Sequence, residues 1–303
     1  MRTLRHAMTA LRLRVVSPVV RARGAILRRV RPAPAAVANE ALDRVPILIV
    51  GCHRSGTSLL RRCVDAHSRI ACPGETMFLE PLGAMVGVPR ADEGFATIGV
   101  DLDEVREETA GRVRGWFEAY ARSRGKPRWA DKSPNIANQI DGVDLLLGRE
   151  ARFVLIVRDG MDVATSLGRS EPLWWQLEPF VRIEPDPYVA AARYWVELNT
   201  RILAFRQAHP ERCHTLRYVD LVREPERTLR GVFAFLGESW EPTVLDFNTA
   251  AHTGGLEDHH VRTTTTFEDN TGRHRQLPIE LQRRMWAVVG PTMRQFGYED
   301  RSY

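Results

Sequence analysis

The sequence predicts an α/β fold, a P-loop-like and mainly parallel sheet flanked by helices. Three observations carry that expectation. The runs at 46–50 and 152–157 are near-continuously apolar, as strands buried on both faces are. Stretches of helical periodicity fill the intervals between strands, the alternation of a parallel sheet covered on both sides. The first strand runs straight into Gly51-Cys52-His53-Arg54-Ser55-Gly56-Thr57-Ser58, a Gly-x4-Gly loop followed by two hydroxyl residues.

In chain order, strands are expected at 46–50, 128–131, 152–157 and 213–217. Helices are expected at 56–68, 136–147, 160–169, 188–208, 225–236 and 278–296. The helix after the loop carries Leu59, Leu60, Val64 and Ala66. Asp159 is placed to cap the helix that begins at 160. Two segments interrupt the alternation. Residues 83–127 are acidic, glycine-containing and only weakly helical in pattern. Residues 170–187 hold Trp174, Trp175, Phe180 and four prolines, the composition of a loop at a site's mouth. For the two tryptophans, lining an apolar pocket and packing on the following helix fit equally well. Residues 254–266 form a third loop, in which His259 and His260 read as solvated.

The glycine loop has a specific chemistry. Gly51 and Gly56 permit a tight turn with φ > 0 and close approach to an anion. Backbone N–H groups from about 54 to 58 then face that anion at a helix N-terminus, which binds phosphate. Nucleotide triphosphatases place a Lys after the second Gly to reach the β- and γ-phosphates; here Thr57 stands there and the cation is Arg54, inside the loop. A phosphate cradle without that lysine weighs against a P-loop kinase or ATPase.

Two further motifs end on strand tips. The strand at 152–157 delivers Arg158, and Ser166 follows two helical turns on, a pair suited to a second phosphate. The short strand at 128–131 delivers Asp131-Lys132-Ser133-Pro134-Asn135. Of 43 Lys and Arg, only Lys126 and Lys132 are lysines. In so arginine-biased a chain, a surviving lysine beside a strand end suggests a compact point charge aimed at one atom. Ligands of such folds bind beyond the carboxyl ends of the strands, where Arg54, Lys132 and Arg158 all fall.

Together these motifs resemble the sulfotransferases that use 3′-phosphoadenosine-5′-phosphosulfate (PAPS). The nearer resemblance, over 46 to about 296, is to the tyrosylprotein and related bacterial sulfotransferases. Cys72-Pro73-Gly74-Glu75-Thr76 is similar to that branch's Gly-Glu-Glu-Thr stretch. Leu216-Arg217-Tyr218-Val219-Asp220-Leu221-Val222 is similar to its Tyr-Glu-x-Leu-Val segment, and Thr271-Gly272-Arg273-His274-Arg275 to the Gly-Arg-Trp-Arg segment that closes over the donor. The resemblance implies a sulfotransferase fold and PAPS as donor co-substrate, with no metal. It implies that Arg54, Ser55, Gly56, Thr57 and Ser58 hold the 5′-phosphate, and that Arg158 and Ser166 hold the 3′-phosphate, with Tyr218 and Arg273 at the donor too. Lys132 would offset charge on the leaving oxygen. Glu75 would be the catalytic base, with His53 the alternative. One Glu follows Gly74, His274 replaces the family's Trp, and Met77 stands where peptide-reading members place an Arg. A less charged small-molecule, lipid or carbohydrate hydroxyl therefore fits better as acceptor than an acidic peptide, and no nucleic acid is expected as partner.

Composition completes the expectation. The chain has 303 residues, 44% hydrophobic and 27% charged, enough for one catalytic domain over 46–303. Residues 1–31 carry nine arginines and no acidic residue, so the net +5 is owed to that arm. Residues 1–45 are read as a basic arm and linker, either disordered or an interfacial helix in peripheral contact with anionic lipid. Cys52, Cys63, Cys72 and Cys213 form no C-x-x-C pair and read as reduced thiols of a cytoplasmic protein. The alternatives are a P-loop nucleotide kinase or NTPase and a non-catalytic, membrane-associated nucleotide-binding protein.

Overall fold

All four expected strands form, and they lie side by side in one parallel sheet. The computed structural model describes residues 43–252, 255–256, 261 and 263–301. The readings made for the basic arm, for His259 and for His260 lie outside the described residues. The elements run β1 (Ile47–Val50), α1 (Thr57–Ala66), β2 (Ile70–Ala71), α2 (Leu79–Gly87), α3 (Ala91–Ala96), α4 (Leu102–Ser123) and β3 (Arg128–Lys132). They continue with α5 (Ile140–Leu147), β4 (Arg152–Val157), α6 (Gly160–Gly168), α7 (Glu178–Val181) and α8 (Pro187–Ala208). The last are β5 (Cys213–Arg217), α9 (Tyr218–Arg223), α10 (Pro225–Leu236) and α11 (Ile279–Gln295).

The strand order is β2-β3-β1-β4-β5. β1 pairs in parallel with β3 (Ile49 beside Lys132) and with β4 (Val50 beside Leu155). Its flanking strands therefore come from different parts of the chain, and the three carboxyl ends open together. That edge is where an open α/β sheet binds its ligand. Alternate residues of β1 feed two cores. Leu48 and Val50 pack with Phe153, Leu155 and Trp195, whereas Ile47 and Ile49 pack with Leu60, Val154 and Phe233. Every residue of β1 is fully buried, which is why the strand reads as an unbroken apolar run.

Two expectations are corrected, and one short strand is new. The segment 83–127 is strongly helical, chiefly as the 22-residue α4, capped by the Asp101 carboxylate on the N–H groups of Asp103 and Glu104. Its buried stripe is thin, Ala110, Val113, Phe117 and Ala121, so apolar periodicity is weak. The stretch 136–147 is two pieces, a 3-10 turn at Pro134–Asn138 and then α5. β2 was not expected, because two residues carry no periodic signal.

Helices α2 and α5 meet at two glycines. A Cβ on Gly142 would lie 2.4 Å from the Gly83 carbonyl oxygen, and one on Gly83 would lie 2.7 Å from the Val143 nitrogen. Backbone blocks backbone there, so neither side can yield by a rotamer change. Gly142→Ala is expected to lower unfolding free energy by about 1–3 kcal/mol, the usual cost of overpacking, read from urea melts at unchanged m-value.

Candidate active site at the strand ends

The carboxyl ends of the sheet enclose a cavity of about 960 Å³. The loop from β1 into α1 forms its floor. Arg54 takes a left-handed φ of 67°, Gly56 a φ of 91°, and the Ser55 N–H closes the turn on the Cys52 carbonyl at 3.1 Å. The turn delivers Thr57 and Ser58 as the first residues of α1, and both line the cavity with Arg54 and Gly56. Ser55 departs from expectation. It is fully buried, its hydroxyl lacks a partner, and it lies outside the cavity lining. A Cβ on Gly56 would come within 2.5 Å of the Tyr218 ring, so glycine is needed for packing as well as for φ.

Lys132 is the last residue of β3 and is fully buried. Its ammonium donates to Glu75 Oε1 at 2.5 Å and to Ser58 Oγ at 3.1 Å. The residues on either side of it do a different job. Asp131 accepts the Thr76 hydroxyl at 2.8 Å, and Ser133 Oγ accepts the N–H groups of Thr76 (3.1 Å) and Met77 (3.3 Å). They hold the Glu75-Thr76-Met77 turn, in which Met77 has φ 63°. The Glu75 N–H also donates to the Leu256 carbonyl at 2.6 Å. The Asp-Lys-Ser motif thus aims one residue at the phosphate loop and clamps the Glu75 turn with the other two.

Arg158 follows β4 and is largely buried, which lowers its pKa. Its guanidinium lies 4.4 Å over the Tyr218 ring, donates to the Arg54 carbonyl at 3.0 Å, and also donates to the Asn270 carbonyl. Its Nε is buried without a partner. Tyr218 Oη donates to the Glu268 carbonyl at 3.1 Å. Asp159 caps α6 as expected, accepting from the Met161 N–H at 2.9 Å. Ser166 lines the same cavity, but its hydroxyl accepts from Arg54 Nε at 3.1 Å rather than from Arg158. Arg273 lines it too and donates to the Asn270 side-chain oxygen. Arg54, Arg158, Arg273 and Ser166 thus form one cluster in the lining, linked through Asn270.

Other parts of the lining are aromatic or apolar. Trp174 satisfies both readings of the tryptophans: it lines the cavity, and it packs on His53 (centroids 4.2 Å apart) and on Tyr194 of α8 (5.6 Å). Trp175 lines the cavity but is 67% exposed. Sequence reasoning missed the network beneath them. The Gln176 amide donates to Asn135 Oδ1 (2.8 Å), Tyr194 donates to Gln176 Oε1 (2.6 Å), and His53 Nδ1 meets the Tyr194 hydroxyl at 2.8 Å. Tyr194 has one proton, given to Gln176, so His53 donates from Nδ1. Burial first, then the Lys132 charge, hold the imidazole pKa down at about 3 against a bond to Asn135. His53 is therefore neutral in the working range and serves this part of the lining as packing and a hydrogen-bonding group.

The four cysteines are free, and burial raises the pKa of each. No helix among the described residues is long and apolar enough to cross a membrane.

Comparison with known proteins gives this α/β fold a family. The model of the sulfotransferase family matches residues 46–242. The chain belongs to the sulfotransferase family, whose chemistry is sulfuryl transfer. Protein-tyrosine sulfotransferase 1 of Danio rerio is 24% identical over 276 residues, covering 85% of this chain and 73% of that protein. Protein-tyrosine sulfotransferase 2 of Gallus gallus is 26% identical over 204 residues, covering 66% and 53%. The sulfotransferase domain of the curacin biosynthetic pathway superposes with a TM-score of 0.60 at 23% identity, over 85% of this chain and 99% of that one. The domain of the Synechococcus PCC 7002 olefin synthase gives 0.59 at 22%, over 84% and 96%. At these identities the two structures attest the fold.

Asp131 supplies a pH test. Complete burial, with the Glu75 charge adding, pushes its pKa up to about 6, against the bonds from Thr76 and Ser133. Its unfolded value is about 3.9. Through that window the unfolded chain sheds a proton that the folded chain keeps, so the group favours folding less as pH rises. Asp131→Asn removes the ionisation and leaves an oxygen for Thr76. Its melting temperature relative to wild type is expected to move upward between about pH 4 and pH 7, measured by differential scanning fluorimetry.

Proposed function

We propose that this protein transfers the sulfuryl group of PAPS to the hydroxyl of an uncharged, largely apolar acceptor. One observation carries the reading: a buried lysine touches both Ser58 of the loop and Glu75, two residues that line one cavity together with Arg54, Arg158, Arg273 and Trp174. The cradle without the triphosphatase lysine supports a 5′-phosphate bearing sulfate rather than a chain of phosphates. Arg54 and the Gly56-Thr57-Ser58 backbone would hold that phosphate, with Ser55 contributing main chain alone. Arg158, Ser166 and Arg273 would hold the 3′-phosphate, and Tyr218 would support Arg158.

In the transfer, the acceptor oxygen attacks sulfur in line while the bond from sulfur to the bridging oxygen breaks. The electron pair leaves on the 5′-phosphate of adenosine 3′,5′-bisphosphate. Catalysis of this kind is mainly positioning and charge stabilisation. Lys132 would turn from Glu75 toward the bridging oxygen and offset its growing charge. Glu75, so released, would take the hydroxyl proton. His53 is the weaker candidate base, because its low pKa leaves little affinity for a proton. Besides Glu75, the described lining residues include Met77, Pro134, Leu167, Pro172 and Trp174. None of those side chains is cationic, so an acidic peptide would find no counter-charge on them. A flat, neutral alcohol or phenol would lie against Trp174 instead.

Two measurements test the reading. Adenosine 3′,5′-bisphosphate is expected to raise the melting temperature without magnesium, and ATP with magnesium to leave it nearly unchanged; the reverse order would point to a triphosphatase. With radiolabelled PAPS and 1-naphthol, Glu75→Gln is expected to lose about 10²–10⁴-fold in kcat. Trp174→Ala should raise KM for the naphthol and leave KM for PAPS alone. A wild-type enzyme that sulfates an acidic tyrosine peptide better than the naphthol would refute the acceptor class.

A further inference from the structure

Asp162 is the third residue of α6, in its first turn and 1% exposed, and none of the roles above uses it. Its Oδ2 accepts the Gly272 N–H at 2.8 Å; its Oδ1 accepts His274 Nδ1 at 2.8 Å and the His274 N–H at 3.3 Å. Burial opposes its ionisation, yet the bonds from His274 and Gly272 outweigh that and hold its pKa below the ordinary carboxylate range. One carboxylate thus fixes the backbone on both sides of Arg273. Gly272 sits at φ 77°, the sharp turn that lets both N–H groups reach it. On the far side of His274, Nε2 meets Arg301 Nη1 at 3.1 Å, and Arg301 also pairs with Asp159. His274 gives its ring proton to Asp162 and so accepts from Arg301.

Asp159, Asp162 and His274 bring three ligand-type atoms within 4.8 Å of one another. That spacing would suit a divalent cation, but the Arg301 guanidinium already occupies two members of the group. The cation of this cluster is a side chain. What the cluster controls is the segment from 268 to 274. That segment is tied to the sheet by Tyr218 at Glu268, by Arg158 at Asn270 and by Asp162 at Gly272 and His274. Arg273 and Asn270 line the cavity between those ties.

We infer that Asp162 is a positioning residue for donor selectivity: it clasps the Gly272-Arg273-His274 turn so that Arg273 and the Arg158–Asn270 contact meet the donor's 3′-phosphate. The inference rests on the donor reading given above. Electrostatics and geometry oppose each other here. Removing a negative charge beside Arg158 and Arg273 should by itself strengthen anion binding, whereas loss of the clasp should weaken it.

Asp162→Asn keeps size and one acceptor while removing the charge-assisted bonds. Calorimetric titration with adenosine 3′,5′-bisphosphate and with adenosine 5′-monophosphate separates the two phosphates. Wild type is expected to prefer the bisphosphate. Asp162→Asn is expected to lose roughly tenfold or more in affinity for the bisphosphate, the scale of charged hydrogen bonds, with little change for the monophosphate. His274→Leu should follow it, and His274→Asn, whose amide can still donate to Asp162, should recover most of the loss. EDTA should change none of these values. Unchanged selectivity in Asp162→Asn and His274→Leu would overturn the inference, as would loss of bisphosphate affinity on chelation. A wild-type protein that binds both nucleotides alike would instead remove the donor reading, and the inference with it.

Discussion

A single buried ammonium joins the three parts on which the site depends. Lys132 ends β3, contacts Ser58 at the start of α1 and pairs with Glu75. A lysine fully removed from water is costly unless a counter-charge and hydrogen bonds compensate it, and breaking such a pair costs about 3–5 kcal/mol. The sequence meets that demand with Asp131 and Ser133, which grip the turn carrying Glu75 and so keep the counter-charge in place. The motif is one unit: two residues position a carboxylate, and the residue between them is positioned by it.

The parallel register explains why the other cations arrive at the same place. β1 lies between β3 and β4, so the loop holding Arg54, the Lys132 tip and the Arg158 tip open on one edge. Charge is then divided within one cavity. Arg54, Arg158 and Arg273 cluster with Ser166; Trp174, Met77 and a neutral His53 also line it, and Lys132 reaches it through Ser58 and Glu75. Such a division suits the proposed transfer from an anionic nucleotide to a neutral hydroxyl. The Asp162 clasp extends it, because the residues that complete the cationic cluster come from a loop far along the chain.

How much of this was legible in the sequence follows from the range of each interaction. β1 and β4 were plain because strands buried on both faces leave unbroken apolar runs, and the phosphate loop because its glycines are spaced by local backbone geometry. Helix α4 was muted because its buried stripe is only four small or scattered residues over 22. The pairing of Ser166 with Arg54 instead of Arg158, and the inward turn of Ser55, depend on side-chain directions that spacing does not encode. The Asn135-Gln176-Tyr194-His53 network and the Asp162–His274 contact join residues more than 100 positions apart at their longest links. The one trace of the second in the sequence was His274 itself, standing where the resembled Gly-Arg-Trp-Arg segment has Trp.

The most direct test of the central lysine is its exchange for the residue this chain otherwise prefers. Lys132→Arg keeps the charge but replaces a point donor with a planar fork. With radiolabelled PAPS and 1-naphthol, the variant is expected to bind adenosine 3′,5′-bisphosphate and to lose about 10²–10³-fold in kcat, the scale of one transition-state donor. Transfer at the wild-type rate would contradict the placement of Lys132 at the leaving oxygen.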